Sequence, residues 1–357
     1  MRLSVIQEQL ARVNAVLALS PGDDFRYVAG WSPLPDERLT FLIVAPEGAR
    51  LVIASVNAEE AVTHLKNGVP IDRFTDDAGP VEVLTGAVSP YEGLRWLVSD
   101  DARFDHSLIL AGVVGQTPGL ASEIMAPLRM RKDEEECKRL AGSQSINDLA
   151  MRAAFEALTP EMTELELADV IRRSFMANGA DKEAFIIVAA GEHSALPHHT
   201  PTSTVLGQGP VLLDIGCYYQ GYASDMTRVA YLGEPSQEFR RIHALVERAV
   251  QAAQRAARPG TEAQSVDRAA RAVITEGGFG EAFVHRIGHG IGLSVHEPPS
   301  VAEGNIMKLP ENAAFSIEPG IYLPGKFGVR LEEVVINRAT GAEVLSKVSR
   351  DIYVKAI

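Results

Sequence analysis

The feature that most constrains this 357-residue chain is an internal repeat. Shifting residues 163–201 by 98 positions aligns Thr163 and Glu164 with Thr261 and Glu262, Asp169 with Asp267, Arg173 with Arg271, and Gly179 with Gly277. The same ungapped register carries Glu183-Ala184-Phe185 onto Glu281-Ala282-Phe283, His198 onto His296, and Pro201 onto Pro299. Ten of 39 positions are identical, against roughly two or three from ordinary composition. Two amphipathic helices can align by accident, but accidental matches do not usually persist through helix, turn, strand and a shared histidine. In each copy a Thr opens a helical stretch that reaches a Gly and leads into a strand. The spacing predicts a duplicated domain whose halves each place one His at the same point.

After each of these histidines comes a β-hairpin with two carboxylates. Val211-Leu-Leu-Asp214-Ile-Gly216 is an apolar strand carrying an acid, residues 218–222 turn, and Ser224-Asp225-Met-Thr-Arg228 returns. Ala314-Phe-Ser-Ile-Glu318-Pro-Gly320 has the same form, and Gly328-Val-Arg330-Leu-Glu332-Glu333 returns. A buried ionised carboxylate must be matched by a cation, a metal or strong donors. Separate salt bridges would account for any one of these acids, whereas a shared dication site accounts for all four together. Asp214, Asp225, Glu318 and Glu332 contribute about −4, which two divalent ions offset.

His289 lies between Gly288 and Gly290, so the backbone can approach closely and its imidazole can enter a crowded site. With His289 as the only nitrogen donor the set is hard and oxygen-rich. It suits Mn²⁺ best, with Co²⁺ or Zn²⁺ as other candidates. His198 and His296 are suited to gripping a substrate carbonyl or shuttling a proton.

Taken together, His198, Asp214, Asp225, Gly-His289-Gly, Val-His296-Glu-Pro-Pro, Ile-Glu318-Pro-Gly-Ile-Tyr and Val-Arg330-Leu-Glu332 resemble the pita-bread dimetal peptidases. Within them the chain is similar to the Xaa-Pro branch, prolidase and aminopeptidase P, through Ala195-Leu-Pro-His-His199, Ser224-Asp-Met-Thr-Arg228 and His296-Glu-Pro-Pro299. Glu333 departs from the pattern, since the family more usually has Asp or Asn after the ligand Glu. Strand alternation puts Arg330 and Glu332 on one face, so Glu332 is assigned as the ligand.

The resemblance implies an α/β fold: a creatinase-like N-terminal domain over 1–125, then a pseudo-twofold pita-bread catalytic domain over 126–357. It implies hydrolysis of the Xaa-Pro bond by a hydroxide bridging two divalent ions, with Glu318 as proton shuttle and His198 or His296 donating to the tetrahedral species. The substrate would be a small peptide with proline at position 2, and a homodimer is expected. Arg330, Arg38 and His289 are candidates for contact with substrate, the guanidinium groups for the proline carboxylate. Prolidase and aminopeptidase P stay open, because pocket shape sets peptide length. A non-catalytic binding module of the same fold is the alternative of another class. The additional first domain argues against methionine aminopeptidase, and the full ligand set argues against metal-independent creatinase.

The remaining features set boundaries. A net charge of −13 opposes a nucleic acid partner. No apolar stretch approaches a membrane span, and Gln7-Glu8-Gln9 interrupts any signal-peptide core. Two widely spaced cysteines, Cys137 and Cys217, predict a reducing, cytoplasmic setting. Leu3, Ile6, Leu10, Val13 and Leu17 predict an opening helix. Strands are expected at 25–28, 39–44, 51–55, 81–84 and 107–110, and a long helix from Lys132 towards Leu158.

Overall fold

A computed structural model describes residues 2–65 and 68–357, and the chain divides into two compact units, Met1–Arg129 and Met130–Ile357. The first unit runs α1 (Leu3–Val13), β1 (Ala15–Leu19), α2 (Asp23–Ala29), β2 (Phe41–Ala45), β3 (Gly48–Ala54), α3 (Ser55–His64), β4 (Ile71–Phe74), α4 (Val81–Val88), β5 (Arg95–Val98), α5 (Phe104–Val114) and β6 (Gly119–Leu120), and closes with α6 (Ser122–Met130). Its strands form one mixed sheet in the order β4-β3-β2-β1-β5-β6. One apolar cluster covers each face of that sheet, Leu17 and Leu42 entering one and Val16 and Phe41 the other.

Several local expectations are corrected here. The opening helix stops at Val13, because Asn14 is left-handed with φ 49°, and Leu17 joins the fully buried strand β1 instead. Phe25–Val28 is helical: Phe25 and Val28 sit three apart on the buried face of α2, with Asp23 and Asp24 in its first turn and left-handed Gly30 ending it. Residues 81–84 and 107–110 are also helical, with Leu84, Ala87 and Val88 forming the inner face of α4, and His106 and Leu110 that of α5. Their short apolar runs are ambiguous in period, and packing against a sheet resolved them as helices.

The second unit starts with α7 (Glu134–Ala157), whose Asp133 and Glu136 form a capping box. Then come α8 (Glu164–Ala177), β7 (Lys182–Ala190), β8 (Gly209–Tyr219), β9 (Tyr222–Ala223), β10 (Met226–Leu232), α9 (Gln237–Ala256) and α10 (Ala263–Glu276). The strands β11 (Gly288–Gly290), β12 (Glu297–Val301), β13 (Ala314–Ile317), β14 (Gly320–Leu323), β15 (Phe327–Arg330), β16 (Glu333–Arg338), β17 (Gly341–Val344) and β18 (Tyr353–Lys355) complete it. One sheet runs β18-β10-β8-β7 with β9 on β8, a second runs β12-β11-β13-β16-β17, and β14-β15 is a separate ribbon.

The repeat maps onto this arrangement. α8 and α10 occupy equivalent positions, and an isolated bridge stands at the start of each, Thr163 with Val205 and Glu262 with Lys308. The α7–α8 pair packs with the first sheet in one apolar cluster, and the α9–α10 pair with the second sheet in another. The halves diverge after these helices. The first continues into the nine-residue β7, whereas the equivalent stretch of the second holds a short 3₁₀ turn at Gly280–Ala282 and only the three residues of β11.

Candidate active site

The first hairpin places its acids as alternation demands. In β8, Leu213 and Ile215 point into the core beneath α7 and α8, so Asp214 points the other way, paired in register with Thr227 of β10. Asp225 immediately precedes β10. The second hairpin is not continuous. β13 pairs with β16, Ile317 opposite Glu333, and β14 pairs with β15, Gly320 opposite Arg330. Glu318 and Glu332 sit in the break between the two ladders, where Pro319 has no N–H to offer. Their own N–H groups turn elsewhere, Glu318 to the Ile287 carbonyl at 2.8 Å and Glu332 to the Thr227 carbonyl at 3.2 Å. The second of these bonds ties the two halves together.

His198, Asp214, Asp225, His289, His296, Glu318, Arg330 and Glu332 all line one cavity of about 380 Å³. Arg38 belongs to the first unit, where its guanidinium donates to Asp76 Oδ1 at 2.9 Å and to Glu37 Oε1 at 2.8 Å. Glu333 turns away from the cavity-lining side chains: its Oε1 accepts from Arg228 Nη2 at 2.8 Å and from Arg350 Nη1 at 2.9 Å, and Ser346 donates to its Oε2.

Close backbone packing explains the glycines around His289. A Cβ on Gly288 would lie 1.9 Å from the Ser316 carbonyl oxygen, and one on Gly290 would lie 2.2 Å from that of Pro298. The imidazole Nδ1 of His289 is 3.1 Å from the Gly290 carbonyl, so it carries the proton. Nε2 faces two carboxylates, Glu318 Oε1 at 3.2 Å and Asp225 Oδ2 at 3.7 Å. One ring nitrogen beside two carboxylates calls for a shared cation, a proton on Nε2 or a metal ion in its place.

Hydrogen bonding in the cavity makes the same demand. Asp214 Oδ1, Asp225 Oδ1 and Glu332 Oε1 are buried without a partner, and an orphaned anionic oxygen is costly. Burial, reinforced by the neighbouring acids, pushes Asp225 and Glu332 well above the usual carboxylate range. Glu318 goes the other way: although its burial works against ionisation, the His289 contact holds it down at about 2. Oxygen-rich donors with unused lone pairs beside one imidazole fit divalent cations. Asp225, His289 and Glu332 can each bring a ligand atom to within 4.8 Å of the others.

Four groups beside these residues were not singled out in the sequence: Thr227, Ser316 and Tyr322 lie inside the quoted motifs, and His285 lies outside them. Thr227 Oγ1 accepts from Arg330 Nε at 3.0 Å and donates to Glu332 Oε2 at 2.7 Å. Ser316 Oγ accepts the His289 N–H at 3.0 Å and donates to Glu318 Oε1 at 2.9 Å. Tyr322 Oη accepts from Arg330 Nη1 at 2.7 Å and lies 2.8 Å from His285 Nε2. His285 also lines the cavity, with its Nδ1 on the Arg286 carbonyl at 2.7 Å. Burial lowers His285 and raises Tyr322 to about 12, so the phenol keeps its proton. Alternation along β14 and β15 would have placed Tyr322 near Arg330, but a linear sequence does not show that the hairpin breaks at Pro319.

Residues 138–338 match the sequence profile of metallopeptidase family M24. The chain belongs to metallopeptidase family M24. Among M24 relatives, a probable dipeptidase PepE of Mycobacterium tuberculosis is 38% identical over 348 residues, covering 95% of this chain and 92% of the relative. A Xaa-Pro dipeptidase of Lactobacillus helveticus is 35% identical over 367 residues, covering 99% of each. The crystal structure of dipeptidase PepE from Mycobacterium ulcerans superposes with a TM-score of 0.93 at 34% identity, covering 100% of this chain and 97% of the other. The fold is therefore the mixed α/β pita-bread arrangement of M24 enzymes, and the protein is a metallopeptidase of that family. Among the described residues, no helix is long and apolar enough to cross a membrane.

Proposed function

We propose that this M24 enzyme is a Xaa-Pro dipeptidase that uses two divalent ions held by Asp214, Asp225, His289, Glu318 and Glu332. The observation that carries the reading is the set of three orphaned carboxylate oxygens, on Asp214, Asp225 and Glu332, around one cavity. The names of the similar dipeptidases support the substrate class. Divalent ions in such a site supply an activated water and a Lewis acid for the scissile carbonyl.

The chain's own residues do the rest. Glu318 has the most exposed side chain of the paired acids, 16% against 4% for Asp225. It is placed to take a proton from the attacking water and deliver it to the proline nitrogen as the bond breaks. Burial, then the neighbouring His289, pushes His296 down to about 4, so it is neutral near pH 7 and offers one N–H to the developing oxyanion. His198 faces the same cavity from the other half. Arg330 is committed to Asp214, Tyr322 and Thr227, and we read it as the group that orients Asp214 and, through Thr227, Glu332. Arg286 is the other arginine lining the cavity. It is exposed and holds Ser300 Oγ at 3.1 Å through Nη1 alone. We assign it, ahead of Arg330 or Arg38, to the free carboxylate of a dipeptide.

Manganese is the preferred ion for an oxygen-rich set, with cobalt or zinc as alternatives. The free cysteines Cys137 and Cys217 support a cytoplasmic setting, and a homodimer follows from the family resemblance. The deciding assay compares Ala-Pro with Ala-Pro-Ala on metal-free protein resupplied with Mn²⁺, Co²⁺ or Zn²⁺. Preference for Ala-Pro supports the dipeptidase, preference for Ala-Pro-Ala replaces it with an aminopeptidase P, and no hydrolysis of either with any ion overturns the reading.

A further inference from the structure

Glu164, outside the cavity's lining, is a buried carboxylate of unusual connectivity, on the first turn of α8 and 0% exposed. Its Oε1 accepts from the Ala190 N–H at 2.9 Å and from His193 Nδ1 at 2.8 Å. Its Oε2 accepts from His199 Nε2 at 2.9 Å, Thr202 N at 2.9 Å and Thr202 Oγ1 at 2.8 Å. The backbone adds Glu164 N to Thr204 O at 3.0 Å and Leu165 N to Thr202 O at 3.1 Å. Five donors from residues 190–202 thus converge on one side chain. Burial disfavours its charge, yet His199, the Ala190 N–H, His193 and Thr202 hold its pKa at about 2. Glu164, His193 and His199 could in principle ligate an ion. However, the 2.8 and 2.9 Å separations are hydrogen-bond lengths, and both oxygens are already saturated with donors.

The donors flank His198 on both sides. His198 itself makes no side-chain hydrogen bond among the described residues, and its place in the cavity is set by the backbone that carries it. We propose that Glu164 is the positioning residue that holds the 191–204 segment so that His198 faces the substrate. This rests on the reading of His198 as a substrate-facing group.

The test uses the full-length, metal-loaded enzyme and the variants Glu164→Gln, His198→Ala and their combination. Gln is nearly isosteric but places an amide N–H₂ among N–H donors, so the segment should loosen. Amide hydrogen exchange across residues 191–204 is expected to accelerate in Glu164→Gln while peptides around residues 214, 289 and 332 stay unchanged. Its kcat on Ala-Pro should fall by about 10²-fold, the scale of an ångström-sized misplacement, with KM and metal content little altered. The double variant should be no slower than His198→Ala. Losses that multiply, or unchanged exchange in 191–204, would overturn the proposal. Should Glu164→Gln fail to fold, Thr202→Val removes one donor and must show the same exchange change and the same non-additivity with His198→Ala. A wild type inactive on every Xaa-Pro peptide would sink the functional reading instead, while the exchange experiment would still decide whether Glu164 holds the segment.

Discussion

Arg330 Nη2 donates to Asp214 Oδ2 at 2.6 Å, joining residues 116 positions apart and on opposite halves of the repeat. The same guanidinium reaches Tyr322 and Thr227, so one buried cation sets the angle of two of the acids around the cavity, Asp214 directly and Glu332 through Thr227. Lys cannot reproduce three directed contacts from a planar fork. Arg330→Lys should weaken metal binding or kcat/KM by about 10–100-fold, the usual cost of losing a group that orients a ligand. Calorimetric metal titration beside kinetics on Ala-Pro checks this.

Metal removal should make stability fall with rising pH. Without cations, Asp225 and Glu332 titrate above their ordinary range. The folded chain then binds more protons than the unfolded one, so stability falls as pH rises through those raised values and recovers as pH drops towards the ordinary carboxylate range. Asp225→Asn removes one repelling charge and should raise the Tm of metal-free protein at pH 7 while abolishing activity. Thermal melts of chelated and metal-loaded protein across pH 5–8 distinguish the two states, since the loaded form should lack this slope.

Arg286→Ala should lower kcat/KM on Ala-Pro by about 10-fold or more, as expected for loss of a charge-assisted pair. Ala-Pro-Ala, whose carboxylate lies one residue further out, should lose much less. Equal losses on both peptides would remove Arg286 as the sensor of dipeptide length.

Gly290→Ala would drive a Cβ to 2.2 Å from the Pro298 carbonyl, which is backbone and has little room to retreat. A loss of several kcal/mol is expected, at the upper end for single substitutions, together with displacement of His289. Denaturant unfolding measures the first, and metal stoichiometry the second.

Acid should erase the contribution of Glu164. Its folded pKa of about 2 lies below its ordinary 4.5, so its stabilisation is present above 4.5 and is lost as pH falls towards 2. The groups facing it are His193 and His199. The Tm gap between wild type and Glu164→Gln should be widest above pH 4.5 and close as pH falls through this window.

Which side chains gather around the cavity was legible in the linear sequence, because acids and histidines in such motifs are sparse and their spacing repeats. A shared register placed His198 and His296, and strand alternation separated Glu332 from Glu333, which the structure turns to Arg228 and Arg350. Less legible were the short apolar runs of the first unit, where 25–28, 81–84 and 107–110 became helices because each could bury one face on a sheet.

What the sequence determined by itself was the inventory: two related halves, each bringing a histidine and a pair of carboxylates on strands whose alternation selects which side chains share a face. Tertiary structure decided the connections. The break at Pro319, the Thr227 bond to Glu332, the Arg330–Tyr322–His285 chain and the convergence on Glu164 join residues 8 to 105 positions apart or separate neighbouring strands. Such contacts depend on how two sheets meet, and no local period encodes that meeting; only the packed chain brings a buried anion to the donors or cations that make its burial tolerable.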